Sequence, residues 1–157
     1  MSSEKYQKAI SIIKQHQELC GFCGGVSEEL VIKAERTLEV SFPNSYRDFL
    51  LRFGAGNFGS TDILGVIDDD FYNSGIPDAV WYTLRLREEI TLPRHLIVIH
   101  DTGGDGELSC LDTSKTNSPV VSYYIGYELE DQAFEIIAND FEDFLLKTVE
   151  FELEVTN

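Results

Sequence analysis

Basic residues are scarce in this chain of 157 residues, with 12 Lys and Arg against 28 Asp and Glu and a formal net charge of -16. They are scarcest where acids are most abundant: residues 1–60 hold seven acids and seven bases, whereas residues 61–157 hold twenty-one acids and five bases. A field of this sign repels like-charged polymers, which excludes nucleic acid and anionic membrane as favourable partners and favours a basic protein surface. Methionine and tryptophan occur once each, and cysteine only three times. Three cysteines without framework spacing fit a reducing compartment and are expected to be free thiols. No stretch approaches the ~20 apolar residues that span a bilayer, and the opening Met-Ser-Ser-Glu-Lys-Tyr-Gln-Lys lacks the apolar run of a secretory signal. A soluble, cytoplasmic protein is expected.

What is present is a core. Hydrophobic residues make up 43% of the chain, including 10 Phe and 7 Tyr, enough for one domain over residues 1–157 and too little for two. Ala9, Ile10, Ile13 and His16 recur at spacings of three and four, predicting a helix over 4–19. Ser27 is a candidate N-cap, followed by Glu28 and Glu29 and then by Val31, Ala34, Glu35 and Leu38 at helical spacing. Pro43 fits a first helical position, and Tyr46, Phe49, Leu50 and Phe53 form the stripe of a third helix that Gly54 stops.

Beyond Gly59 the period changes. A short strand is expected over 63–67, then a helix from Pro77 to about Glu89 with Val80, Trp81 and Leu84 on one face. Strands over 96–100 and 107–111 flank the glycine-rich loop 101–106, the pattern of a hairpin. Further strands are expected over 119–124 and 134–137, and Asn139 with Glu142 reads as a capping box for a helix carrying Phe141, Phe144 and Leu145. Val149, Phe151, Leu153 and Val155 alternate with acids and fit either an edge strand or a continuation of that helix. The order predicts an α+β fold, with N-terminal helices packed on a mostly antiparallel sheet and a C-terminal helix.

Several motifs carry candidate chemistry. Cys20-Gly-Phe-Cys23 with His16 offers three zinc ligands, with Cys110 or His100 to close the tetrahedron. A redox pair would sit at a helix N-terminus after a strand, whereas this one follows a helix, and the plainer reading is a glycine-rich turn. Asp101, Asp105, Gly106 and Asp112 match positions 1, 5, 6 and 12 of a calcium loop, but position 3 is Gly103 and the flanks alternate like strands. No serine or cysteine lies in a recognisable nucleophile setting, and no phosphate-binding glycine loop follows a strand. Catalysis, a metal and a cofactor are therefore not expected. Acids cluster at Asp68, Asp69 and Asp70, at Asp101, Asp105 and Glu107, and from Glu128 onward, where ten acids face only Lys147. Aromatics lie among them, and acids interleaved with aromatics are residue types of protein interfaces. The candidate partner-binding residues are Asp68, Asp69, Asp70, Tyr72, Trp81, Asp101, Asp105 and Glu107.

Val31-x-x-x-Glu35-x-x-Leu38, followed by Phe42-Pro43-x-x-Tyr46-x-x-Phe49-Leu50-x-x-Phe53-Gly54-Ala55-Gly56, resembles the N-terminal signature of the SUKH superfamily, named partly for the yeast Smi/Knr cell-wall regulator. Leu92-Pro93 through Gly106 with Leu111-Asp112, Pro119-Val120-Val121, and Ile137 through Leu145 resemble its later strands, turn and closing helix. Glu39 stands where that family often has glycine after the second helix. The resemblance implies an α+β fold and, for bacterial members, an immunity protein that neutralises a polymorphic or contact-dependent toxin, often a nuclease. The partner implied is a basic toxin domain. The alternative implied is an intracellular regulatory or scaffold module of the Smi/Knr type that binds host proteins.

Overall fold

A computed structural model describes residues 3–156, with helices α1 (Glu4–Gln15), α2 (Glu28–Leu38), α3 (Asn44–Phe53), α4 (Ala79–Glu89) and α5 (Phe141–Thr156). Strands β1 (Cys20–Phe22), β2 (Gly56–Phe58) and β3 (Thr61–Ile63) form one antiparallel sheet in the order β1-β2-β3. Strands β4 (Leu96–Asp101), β5 (Glu107–Asp112), β6 (Val120–Tyr124) and β7 (Ile136–Ala138) form a second, in the order β4-β5-β6-β7, again antiparallel throughout. The fold is α+β, as the order of periodicities predicts.

The four-stranded sheet is buried on both faces, which explains the unbroken apolar run Leu96-Ile97-Val98-Ile99. Ile97, Ile99, Leu111, Val120 and Ala138 join the larger core with α1, α2, α3 and α5. Leu96, Val98, Leu108, Cys110, Val121 and Tyr123 face the other way, into a smaller core with Ala79 and Leu86 of α4. The strand period of two thus divides one hydrophobic run between two cores.

Local signals account for most helix ends. Ser27 accepts the Leu30 N–H at 3.1 Å and caps α2. Glu39 closes α2 in the left-handed region, at φ 60° and ψ 43°, the conformation for which glycine is the usual choice. Gly54, at φ 72°, ends α3, and its carbonyl packs so tightly on Gly65 that a Cβ there would lie 1.9 Å away.

Several boundaries differ from the sequence expectation, and Pro43 is the N-cap of α3 rather than its first helical residue. His16, at φ -127°, leaves the first helix, and Gln17–Leu19 is a 3-10 turn. The strand expected over 63–67 stops at Ile63, because the next backbone groups bond to separate elements: Leu64 N–H to Ile99 O at 2.8 Å and Gly65 N–H to Pro77 O at 3.0 Å. Phe134, at φ 48°, cannot continue a strand, so β7 begins at Ile136. The cap of α5 is one residue later than Asn139-Glu142: Asp140 Oδ1 accepts the Asp143 N–H at 2.8 Å, and Asp143 Oδ2 accepts the Asn139 N–H at 3.1 Å. The C-terminal segment is helix to Thr156 rather than an edge strand.

Tyr46 is fully buried, packs edge-on against Phe42 and Phe141, and donates its hydroxyl to the Leu64 carbonyl at 2.8 Å. Tyr46→Phe keeps the ring and strands that carbonyl, so it is expected to lower unfolding free energy by about 1–3 kcal/mol in urea denaturation, with the m-value unchanged.

Candidate functional site

The candidate residues converge on α4 and its surroundings. Asp78 accepts the Trp81 N–H at 3.0 Å and caps the helix, so α4 begins after Asp78 and not at Pro77. A second bond, Ala79 N–H to Gly65 O at 2.7 Å, pins this end to the segment leaving β3. The buried residues of α4 are Ala79, Val80, Thr83 and Leu86, and the Thr83 hydroxyl accepts the Val98 N–H at 3.1 Å. The buried face is therefore rotated from the expected Val80-Trp81-Leu84 stripe, and Trp81 stays half-buried at the surface. Its ring stacks on Tyr82 at 6.0 Å, and the Arg85 guanidinium lies 5.3 Å from its centroid.

Next to this pair is an open groove of about 430 Å³ walled by Phe71, Tyr72, Trp81, Leu84, Arg85 and Glu88. Tyr72 is 74% exposed on its rim. The preceding Asp68, Asp69 and Asp70 are all exposed. Asp68 accepts the Asp70 N–H at 3.0 Å, Asp70 accepts the Asn73 N–H at 3.2 Å, and Asp69 meets Lys33 of α2 at 3.3 Å. Asp68 and Asp69 border a different open groove, with Ser27, Leu30 and Lys33, so these five predicted residues fall on two grooves joined by the Asp70–Asn73 turn.

Asp101, Asp105 and Glu107 lie at the tip of the β4–β5 hairpin, a separate acidic group that Tyr82 links to α4 by donating its hydroxyl to Asp101. Asp105 accepts the Glu107 N–H at 2.9 Å and the Thr102 hydroxyl at 2.8 Å, bonds that hold its carboxyl below the usual aspartate range. Glu107 accepts the Tyr124 hydroxyl at 3.0 Å, which pushes that phenol up, and Tyr124 stacks on the exposed Tyr127 at 5.2 Å. Desolvation and the Asp101 carboxylate push the Tyr82 phenol up as well. Tyr82 and Tyr124 are functional candidates that the sequence list omits. Their proximity to acid clusters is visible in the sequence, but their hydroxyl partners lie 19 and 17 residues away.

The metal and thiol motifs resolve differently. Asp101 and Asp105 face the hairpin loop, but Asp112 pairs with Leu96 at the far end of β5, so the twelve-residue spacing is a hairpin arm and not a calcium loop. Cys20 donates to the Ile13 and His16 carbonyls at 3.6 Å, and Cys110 is buried in the smaller core, where burial pushes its thiol well above the ordinary range. Among the described residues, no group of three or more His, Cys, Asp or Glu side chains is placed to hold a metal ion. Among them, too, no helix is long and apolar enough to cross a membrane.

A family model described as SUKH_5, SMI1-KNR4 cell-wall, matches residues 4–150. The chain belongs to the SUKH superfamily. A crystal structure of a protein from Pseudomonas syringae pv. tomato shares this fold, with a TM-score of 0.61 and 16% identity over 90% of this chain and 98% of that one. The SUKH signature residues have clear physical roles here. Glu35 accepts the Phe42 N–H at 2.7 Å and pairs with Arg47, joining α2, the Pro43 turn and α3. The position where SUKH members often carry glycine is the left-handed cap at Glu39, whose carboxylate instead pairs with Arg94 at 2.8 Å.

Asp78 is fully buried, and its Oδ2 has no hydrogen-bond partner. Desolvation, reinforced by Asp68, raises its pKa above the ordinary 3.8 despite the bonds from the helix N-terminus. A raised folded-state value means that the native state binds the proton more tightly, so this group's contribution to stability declines as pH rises from the ordinary value through the folded one. Asn caps as well as Asp. Asp78→Asn is therefore expected to gain stability relative to the unsubstituted protein as pH rises through that window, and to hold that gain up to neutral pH. Urea denaturation across the pH series measures the difference.

Proposed function

We propose that this SUKH protein is a cytoplasmic immunity protein that binds and neutralises a cognate toxin domain, without catalysing a reaction itself. The observation that carries this reading is the exposed acidic turn Asp68, Asp69 and Asp70, followed in the chain by the exposed Tyr72 on the rim of the groove that half-buried Trp81 lines. Tyr82 adds the acidic hairpin tip to it. A nuclease holds its polyanionic substrate with Lys and Arg, so an acidic protein can occupy or cover that surface. Aromatic rings beside the acids supply apolar contact area, which charge alone does not provide. Opposite fields raise association rates by ~10- to 1000-fold, which matters when a toxin must be caught before it turns over.

The family's cell-wall description supports a second reading, an intracellular regulatory or scaffold module that binds host proteins. Co-purification separates the two. Capture of a basic product of the neighbouring gene, with affinity falling as salt rises, supports immunity; capture of an acidic or salt-indifferent host partner supports the scaffold. For the immunity complex, Asp68→Asn, Asp69→Asn and Asp70→Asn combined are expected to slow association more than they speed dissociation, as read by stopped-flow kinetics. An unchanged association rate would place the contact elsewhere on the molecule.

A further inference from the structure

The four-stranded sheet ends, opposite the hairpin tip, in a partly enclosed cavity of about 640 Å³. Val121, Leu129, Phe134 and Ile136 make its apolar wall, and His95, Asp112, Ser114 and Lys115 its polar end. Leu129 and Ile136 are 56% and 66% exposed, and neither belongs to the two hydrophobic cores. Neighbouring apolar side chains left open to water in this way mark interaction sites. Because both line the cavity and still face solvent, an occupant that covers them extends past the cavity mouth. A protein segment does so, and a small molecule confined to the cavity does not.

The segment between β6 and β7 that carries most of this wall is fastened at two points. Gln132, itself buried, accepts the Tyr124 N–H at 2.8 Å and donates to the carbonyls of Tyr124 at 2.7 Å and Tyr127 at 3.2 Å. Three residues on, Ser122 N–H donates to Glu135 O at 2.9 Å, and Glu135 N–H to Ser122 Oγ at 3.1 Å. Between these clamps Phe134 packs its ring on Tyr123, with centroids 6.1 Å apart. A wall fixed in this way gives up little conformational freedom when a partner docks.

The charge carried by the same segment selects the partner. Glu128, Glu130, Asp131 and Glu135 are all exposed, and among the described residues none of their carboxylates meets a base or a hydrogen-bond donor. Asp112 adds a carboxylate at the polar end, and Lys115 is the one Lys or Arg in the cavity lining. Apolar side chains flanked by charged ones form the pattern of an interface with an apolar centre and a polar rim. Uncompensated acids on the rim favour a basic partner and penalise an acidic one. A second copy of this chain, at net charge -16, would bring the same acids against them.

We propose that this face docks a segment of a basic protein, with apolar side chains of the segment against Leu129, Phe134 and Ile136 and its flanking Lys or Arg side chains against the acids of residues 128–135. It is a second interaction surface, beyond the acidic turn and the groove at α4. The test is an amide NMR titration of the full chain with the peptide acetyl-Lys-Leu-Lys-Phe-Lys-amide. Two controls separate the contributions: acetyl-Lys-Ser-Lys-Ser-Lys-amide keeps the charge, and acetyl-Glu-Leu-Glu-Phe-Glu-amide keeps the apolar residues. Saturable shifts at Val121, Leu129, Phe134 and Ile136 are expected with the first peptide at millimolar concentration and with neither control. Leu129→Ser and Ile136→Ser, at exposed positions outside both cores, are each expected to weaken binding by about threefold or more, the scale of a lost apolar contact. Glu128→Gln, Glu130→Gln and Asp131→Asn combined are expected to weaken it and to flatten its salt dependence. Asp68→Asn, Asp69→Asn and Asp70→Asn combined are expected to leave it within about twofold, because charges distant from the contact are screened. Absence of saturable shifts on this face, equal binding of the serine-containing peptide, or undiminished binding by both Leu129→Ser and Ile136→Ser would overturn the proposal. Loss of binding on substitution of Asp68, Asp69 and Asp70 alone would overturn it too, by moving the contact to α4, and would leave the immunity reading standing.

Discussion

Leu64 is the residue on which the layers of this fold are joined. Its carbonyl accepts the Tyr46 hydroxyl from α3, and its N–H donates to Ile99 of β4, so one peptide segment is held by the helical layer and by the four-stranded sheet at once. Both bonds are buried, where a missing partner costs more than a formed bond contributes in water. The next residues inherit that placement. Gly65 donates its N–H to the Pro77 carbonyl and accepts the Ala79 N–H at its own, and Val66 N–H donates to the Gly54 carbonyl at the end of α3. The start of α4 is thus set by a chain of backbone contacts that begins at a tyrosine in the helical core.

That chain determines the surface. With the N-terminus of α4 fixed and Thr83 bonded to Val98, the helix keeps Trp81 half-buried at the surface, packs Tyr82 along the smaller core and turns Ala79, Val80 and Leu86 inward. Tyr82 then meets Asp101, and Tyr124 meets Glu107, so two acidic groups are held by phenolic hydroxyls from neighbouring elements. A carboxylate anchored in this way loses less side-chain entropy when a cation docks than a freely rotating one does. Arg85 and Lys33 temper the local field without cancelling it, since each lies beside acids that outnumber it.

The sheet therefore has two chemically different ends. At the β4–β5 tip, carboxylates and phenols face solvent; at the other end, Val121, Phe134 and Ile136 border His95, Asp112 and Lys115.

The helices were legible because their signals are local. Ser27, Gly54 and the Tyr46-Phe49-Leu50-Phe53 stripe act within one or two turns, and the SUKH signature is largely this helical arithmetic plus Glu35, whose partners Phe42 and Arg47 are close in sequence. Charge segregation was legible for the same reason, being a property of composition. Less legible were the 63–67 segment, the face of α4 and the role of Tyr82, each decided by a partner far away in the chain: Ile99 for Leu64, Val98 for Thr83, Asp101 for Tyr82. Periodicity could not separate Trp81 from Val80 because both are large and apolar, and only the sheet beneath chose between them. The sequence by itself determined the family, the α+β class and an acidic half. The tertiary structure decided which acids stand together and which bases they meet, because electrostatic grouping depends on distance in space and not on distance along the chain.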